Sequence, residues 1–123
     1  MTIERRGNAG ILDFCDSVHF KDMLFLKAQT GYDPEGIFHG KDNVEEQTRQ
    51  ACKNIKELIR QAGGADSSLC KLNIYVSDSR YCQEVFRVIG EQFSGVSPCC
   101  SCIIVDLRRP ETLVELDAEA SLA

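Results

Sequence analysis

Residues 43–64, NVEEQTRQACKNIKELIRQAGG, decide the fold, because they read as a helix with both ends marked. Asn43 is a good N-cap, and Glu46, three positions on, is placed as the reciprocal partner of a capping box. Val44, Ala51, Ile55, Leu58, Ile59 and Ala62 recur at steps of three, four and seven, so they share one face. Gly63-Gly64 then supplies the residue type that best tolerates a left-handed C-terminus. After it the period changes. Leu72, Ile74 and Val76 alternate with Lys71, Asn73 and Tyr75, which is a strand with one buried face.

Toward the N-terminus, residues 13–28 read as a β-hairpin. Phe14–Phe20 and Met23–Leu26 flank the polar pair Lys21-Asp22, whose turn type the sequence leaves open. A short strand around Ile3 precedes the hairpin, and the Gly-, Asp- and Pro-rich stretch Thr30–Lys41 is a loop. Toward the C-terminus, Asp78 or Ser79 caps a second helix with Cys82, Val85, Phe86, Ile89 and Phe93 on its inner face. Two strands, Ser101–Leu107 and Leu113–Ala120, follow, separated by Arg108-Arg109-Pro110-Glu111. The order β-β-β-α-β-α-β-β predicts one domain over residues 1–123, a two-layer α+β fold with two helices on one face of a mixed sheet. Its other face is left bare and carries Glu115, Asp117 and Glu119, so it is expected to be covered by partner subunits, with polar groups lining a cleft between them.

Composition narrows the function classes. The 123 residues carry a net charge of −5, and no run of Lys and Arg exceeds Arg108-Arg109, which argues against nucleic acid as a partner. No apolar run approaches the ~18–20 residues of a membrane span, and Met1-Thr2-Ile3-Glu4-Arg5-Arg6 is not followed by the apolar core of a signal peptide. Seven scattered cysteines, an odd count, do not suggest a disulfide framework. Reduced thiols in a cytoplasmic protein are the expectation.

Several local motifs, in order along nearly the whole chain, resemble the RidA/YjgF family, also called endoribonuclease L-PSP. Lys27-Ala28-Gln29, Gly31 and Asp33-Pro34 stand where that family ends a strand in Ser-Gly-Gln and enters a loop. Gln47 or Gln50, Asn54-Ile55 and Ala62-Gly63 fit its first helix, and Lys71 to Asp78 fits its strand Lys-x-x-x-Tyr/Phe-Val-x-Asp. Phe93 fits the aromatic closing its second helix; Pro110 and Val114 to Ala120 fit its closing strand. The resemblance implies a chorismate-mutase-like fold and a homotrimer that holds small molecules in clefts between subunits. It also implies hydrolysis of reactive enamines and imines to keto acids and ammonia; some family deaminases act on ring-cleavage products such as 2-aminomuconate. In it Glu115 positions the attacking water, Gln29 and Gly31 line the cleft, and Cys102 matches the family's cysteine.

Two positions depart from the pattern. The signature Pro-Ala-Arg-Ser-Cys is here Pro98-Cys99-Cys100-Ser101-Cys102, so Cys100 replaces the arginine that binds substrate, which marks a subgroup lacking it. Phe14 falls near the family's cleft-closing tyrosine and has no hydroxyl. A thiol cannot form the two-pronged, charge-assisted grip of a guanidinium on a carboxylate. Losing the buried partner of a carboxylate costs ~3–5 kcal/mol, about two to four powers of ten in binding.

Three roles for Cys100 remain open on sequence. It is a small residue that opens the cleft for a different ligand, or a nucleophile or acid with a lowered pKa, or part of a metal or redox pair with Cys99 and Cys102. Lys27 could depress a thiol pKa or receive an anionic substrate. In an extended strand, residues three apart point to opposite faces and lie ~10 Å apart, so no metal or cofactor is expected. Two functions therefore compete: a hydrolase of the enamine or imine type with specificity altered by Cys100, and a non-catalytic trimer that binds a small ligand.

Overall fold

The computed structural model describes residues 2–7 and 14–123. Met1, and Asp13 where the hairpin reading begins, lie outside the described residues. The strands are β1 (Glu4–Arg6), β2 (Ser17–Phe20), β3 (Met23–Gln29), β4 (Leu69–Val76), β5 (Cys99–Ile104) and β6 (Val114–Ser121). The helices are α1 (Val44–Gln61) and α2 (Cys82–Gln92). They make a mixed α+β fold with one six-stranded sheet in the order β1-β2-β3-β6-β4-β5. Every pairing is antiparallel except β4 with β5, which is parallel.

α1 begins where the sequence places it. Asn43 is extended at φ −135°, and its Oδ1 accepts from the Glu46 N–H at 3.1 Å. The expected reciprocal bond from the Glu46 side chain is not formed, because the Asn43 N–H is already given to the Gly40 carbonyl at 2.9 Å. At the other end Gly63 takes φ +92°, and the Gly64 N–H closes back on Ile59 O. The face predicted for α1 is the buried one: Ala51, Cys52, Ile55 and Ile59 are fully enclosed against the sheet. Burying an isoleucine stabilises by roughly 1.5–3 kcal/mol.

The hairpin turns at Lys21-Asp22, with Lys21 left-handed at φ +55°, but its first strand starts at Ser17 rather than Phe14. On α2 the buried residues are Val85, Val88 and Ile89, while Phe86 is 44 % exposed. Val88 rather than Phe86 completes the inner stripe. β5 is shorter than expected and every residue in it is exposed, because it is an edge strand held on one side only.

Alternation on β4 and β6 separates the two faces. Leu72, Ile74, Val76, Val114, Leu116, Ala118 and Ala120 form the core with the helices. Lys71, Asn73 and Tyr75 stand on the open face opposite Glu119, Asp117 and Glu115. The Asn73 amide donates to Asp117 Oδ1 at 2.7 Å.

Candidate functional site

β3 runs past the end of β2. The last link between them is the Lys27 N–H to Asp16 O bond at 2.9 Å, and a register irregularity between Leu26 and Gln29 bends β3 against β6. Bulges of this kind re-aim side chains next to sites. Here a cavity of about 560 Å³ opens, with Lys27, Gln29, Thr112 and Glu115 among its lining residues.

The polar stripe of α1 positions the loops around it. Gln47 is fully buried; its Nε2 donates to Gly40 O at 2.8 Å and Glu111 O at 3.1 Å, and its Oε1 accepts from the Leu113 N–H at 2.8 Å. Two turns on, the Asn54 amide donates to Tyr32 O at 2.8 Å and its Oδ1 accepts from Gln50 at 2.8 Å. These bonds fasten the 30–42 loop and the β5–β6 connection to the same helix. The Tyr32 hydroxyl then donates to Glu111 Oε1 at 2.6 Å, and the Arg109 guanidinium lies over the Tyr32 ring at 5.1 Å. That hydrogen bond raises the Tyr32 pKa and lowers that of Glu111. On the open face, the negative charge of Asp117 raises Tyr75.

Lys27, Gln29 and Glu115, all chosen from sequence, are thus brought together. The others are not. Gly31 is buried beneath the loop: a Cβ there would stand 2.5 Å from His39 O, so it is a close-packing position rather than a cleft residue. Phe14 is 63 % exposed and is not among the cavity's lining residues. Cys100 and Cys102 pair in register with Leu72 and Ile74, which puts them on the helix side of the sheet. Glu115 is on the open side, two strands away. Cys100 borders a separate cavity of about 370 Å³ with Ile74, Phe86, Ile89 and Phe93.

The thiol chemistry follows from that placement. Desolvation raises the Cys100 pKa above its ordinary 9.0, with Cys99 adding to the effect, which is the reverse of what a nucleophile needs. Lys27 does not act on it, since its ammonium is 3.5 Å from Asp16 at the other cavity. Cys102 is raised as well, first by desolvation and then by its neighbour Cys82. Among the described residues no cluster of His, Cys, Asp or Glu could hold a metal ion.

The sequence reading passed over Tyr32, Arg108, Arg109 and Thr112. The one available signal is that Arg108-Arg109, like Arg5-Arg6, is a paired basic run in an acidic chain.

The comparisons agree with this architecture. The endoribonuclease L-PSP family model matches residues 8–122. A RutC family protein of Pyrococcus abyssi is 24 % identical over 107 residues, covering 87 % of this chain and 84 % of its own. Another from Synechocystis is 29 % identical over 102 residues, covering 81 % and 78 %. Among solved structures, a YjgF-family protein of Mycobacterium tuberculosis superposes with a TM-score of 0.84 at 25 % identity, over 98 % of this chain and 99 % of its own. A Rid-family protein of Yersinia pestis reaches a TM-score of 0.89 at 23 % identity, over 98 % and 99 %. The chain belongs to the endoribonuclease L-PSP family, which is the RidA/YjgF family.

Proposed function

We propose that the chain is a RidA-like hydrolase that deaminates a small reactive enamine or imine, with specificity altered by Cys100. The observation that carries this is the Glu115 carboxylate, which lines the 560 Å³ cavity with no ion pair or hydrogen bond among the described residues. A carboxylate so placed can take a proton from water as the oxygen attacks the C=N carbon and return it to nitrogen. The C–N bond then breaks, so imine plus water gives a carbonyl compound and ammonia. Cys100 borders a different cavity of its own subunit, so its effect on specificity rests on a cleft shared between subunits, where it serves as a small residue rather than as a nucleophile, in keeping with its raised pKa.

Assembly completes the reading. The bare sheet face and the edge strand β5, with Ile103 51 % and Ile104 56 % exposed, support a homotrimer with ligands in the clefts between subunits. Seven free cysteines support a cytoplasmic location, and no described helix is long and apolar enough to cross a membrane.

Ammonia release from imines generated in situ by an amino-acid oxidase tests the reaction. Imines of serine and alanine should turn over slowly, because strand position 100 has no guanidinium. On any substrate that is hydrolysed, Glu115→Gln should lower kcat by about 10²–10⁴-fold, and Cys100→Ser should leave it within a small factor. Unchanged rates in Glu115→Gln would remove that carboxylate from catalysis. No turnover across the panel would leave the second reading, a ligand-binding trimer, which the missing hydroxyl at Phe14 favours.

A further inference from the structure

The charged groups around the Glu115 cavity are almost all committed to one another. Lys27 is 3.5 Å from Asp16, and Asp33 holds His39 at 2.7 Å. Glu57 is paired with Arg60. Arg109 lies over Tyr32 and 4.0 Å from Glu111. Two of the cavity's charged side chains have no ion pair or hydrogen bond among the described residues, and they have opposite sign, although Arg108 does act at longer range on Glu111. Glu115 is one; Arg108, on the connection between β5 and β6, is the other.

The same wall contains an unsatisfied group. Thr112 is 2 % exposed, and its hydroxyl is buried with no hydrogen-bond partner among the described residues. Buried hydroxyls are normally paired, and one left alone calls for an explanation. A guanidinium and a carboxylate without side-chain partners on one cavity, with the orphan hydroxyl of Thr112 buried in its wall, describe a ligand with an anionic end and a site of proton transfer. The volume of about 560 Å³ is well above what a three-carbon acid fills, and within the ~300–1,000 Å³ usual for ligand pockets.

Resting on the hydrolase reading of this cavity, we propose that Arg108, with the Thr112 hydroxyl, is its anion receptor and sets substrate choice. The grip absent from strand position 100 is supplied from the β5–β6 connection. The ligand is then a small acid whose recognised carboxylate is separated from the reacting carbon. Arg108 lies in a loop and is exposed, so replacing it should not disturb the core.

The test titrates the full-length protein with 2-oxoglutarate and with 2-oxopentanoate, which has the same chain length and lacks the distal carboxylate. Binding is followed by backbone amide shifts. Wild type should bind 2-oxoglutarate more tightly, and Arg108→Met should weaken that binding about 10–100-fold while leaving 2-oxopentanoate unchanged. Arg108→Lys should fall between, because an ammonium keeps the charge and loses the fork. Thr112→Val, which preserves shape, should weaken 2-oxoglutarate by about three- to tenfold.

Equal binding of the two acids, equal binding by Arg108→Met, or no saturable binding of either acid at millimolar concentration would overturn the proposal. Failure of the hydrolase reading looks different: Arg108-dependent binding would persist with no ammonia release from any imine. Turnover that depends on Glu115 but not on Arg108 would refute the receptor and leave the hydrolase standing.

Discussion

Replacing Gln47 with Leu should destabilise the chain more than any other single polar-to-apolar change on α1. The leucine fills a similar volume, so the loss is one of hydrogen bonds rather than packing. Three bonds go at once: to Gly40 O, to Glu111 O and from the Leu113 N–H. The side chain is fully buried, so solvent cannot replace them. At about 1 kcal/mol net for each of the three bonds, with a further ~1–3 kcal/mol for a backbone group left unpaired, the sum is about 4–6 kcal/mol. That is a large share of the ~5–15 kcal/mol by which native domains are stable. For a domain of this size it corresponds to a fall in Tm of roughly 15–25 °C. Urea unfolding followed by circular dichroism should show a lower midpoint at unchanged slope. Gln50→Ala is the control, since it removes a single half-buried bond to Asn54 and should cost about 1 kcal/mol. A Tm loss in Gln47→Leu no larger than that of the control would refute the view that this amide ties the two loops to the helix.

Two further outcomes follow from the same region. Gly31→Ala should cost about 1–3 kcal/mol in urea unfolding, because its Cβ would meet the His39 carbonyl oxygen at 2.5 Å and backbone cannot step aside; a neutral effect would mean the loop is looser than drawn. Glu111 should contribute to acid sensitivity. The Tyr32 hydroxyl holds its pKa below the ordinary 4.5, so its contribution is present above that value and lost as pH falls through the depressed one. Stability curves of wild type and Glu111→Gln should therefore converge on acidification below pH 4.5, and parallel curves would contradict it.

Much of the fold is legible in the sequence where one period dominates. α1 announces both ends, and β4 and β6 alternate cleanly because each buries one face. Reading failed where burial is decided by something distant. Ile103, Ile104 and Val105 look like a core strand, yet β5 is an edge and they are half exposed. Phe86 and Val88 are both apolar on α2, and only the angle of the helix on the sheet chooses between them. Nothing local tells that β6 lies between β3 and β4.

The site was half visible for a similar reason. Glu115, Gln29 and Lys27 could be named by resemblance, and they do line one cavity. The side of the sheet on which Cys100 lies depends on its register with β4, which a run of Cys and Ser does not reveal. Thr112 drew no notice because an orphan hydroxyl exists only once the chain has closed around it.

The strand order has a consequence for how the protein is made. β6 is last along the chain and stands in the middle of the sheet, flanked by β3 and β4. Until residues 114–121 leave the ribosome, β3 and β4 have no common neighbour and their apolar faces have no continuous layer to close on. The hairpin and α1 can form early, but the sheet cannot be completed in the order of synthesis. Its pairings are long-range, the kind that fold slowly and leave strand edges open meanwhile. Until β6 is made the nascent chain is therefore a split sheet, and completing the sheet is an insertion at the centre rather than an addition at an edge.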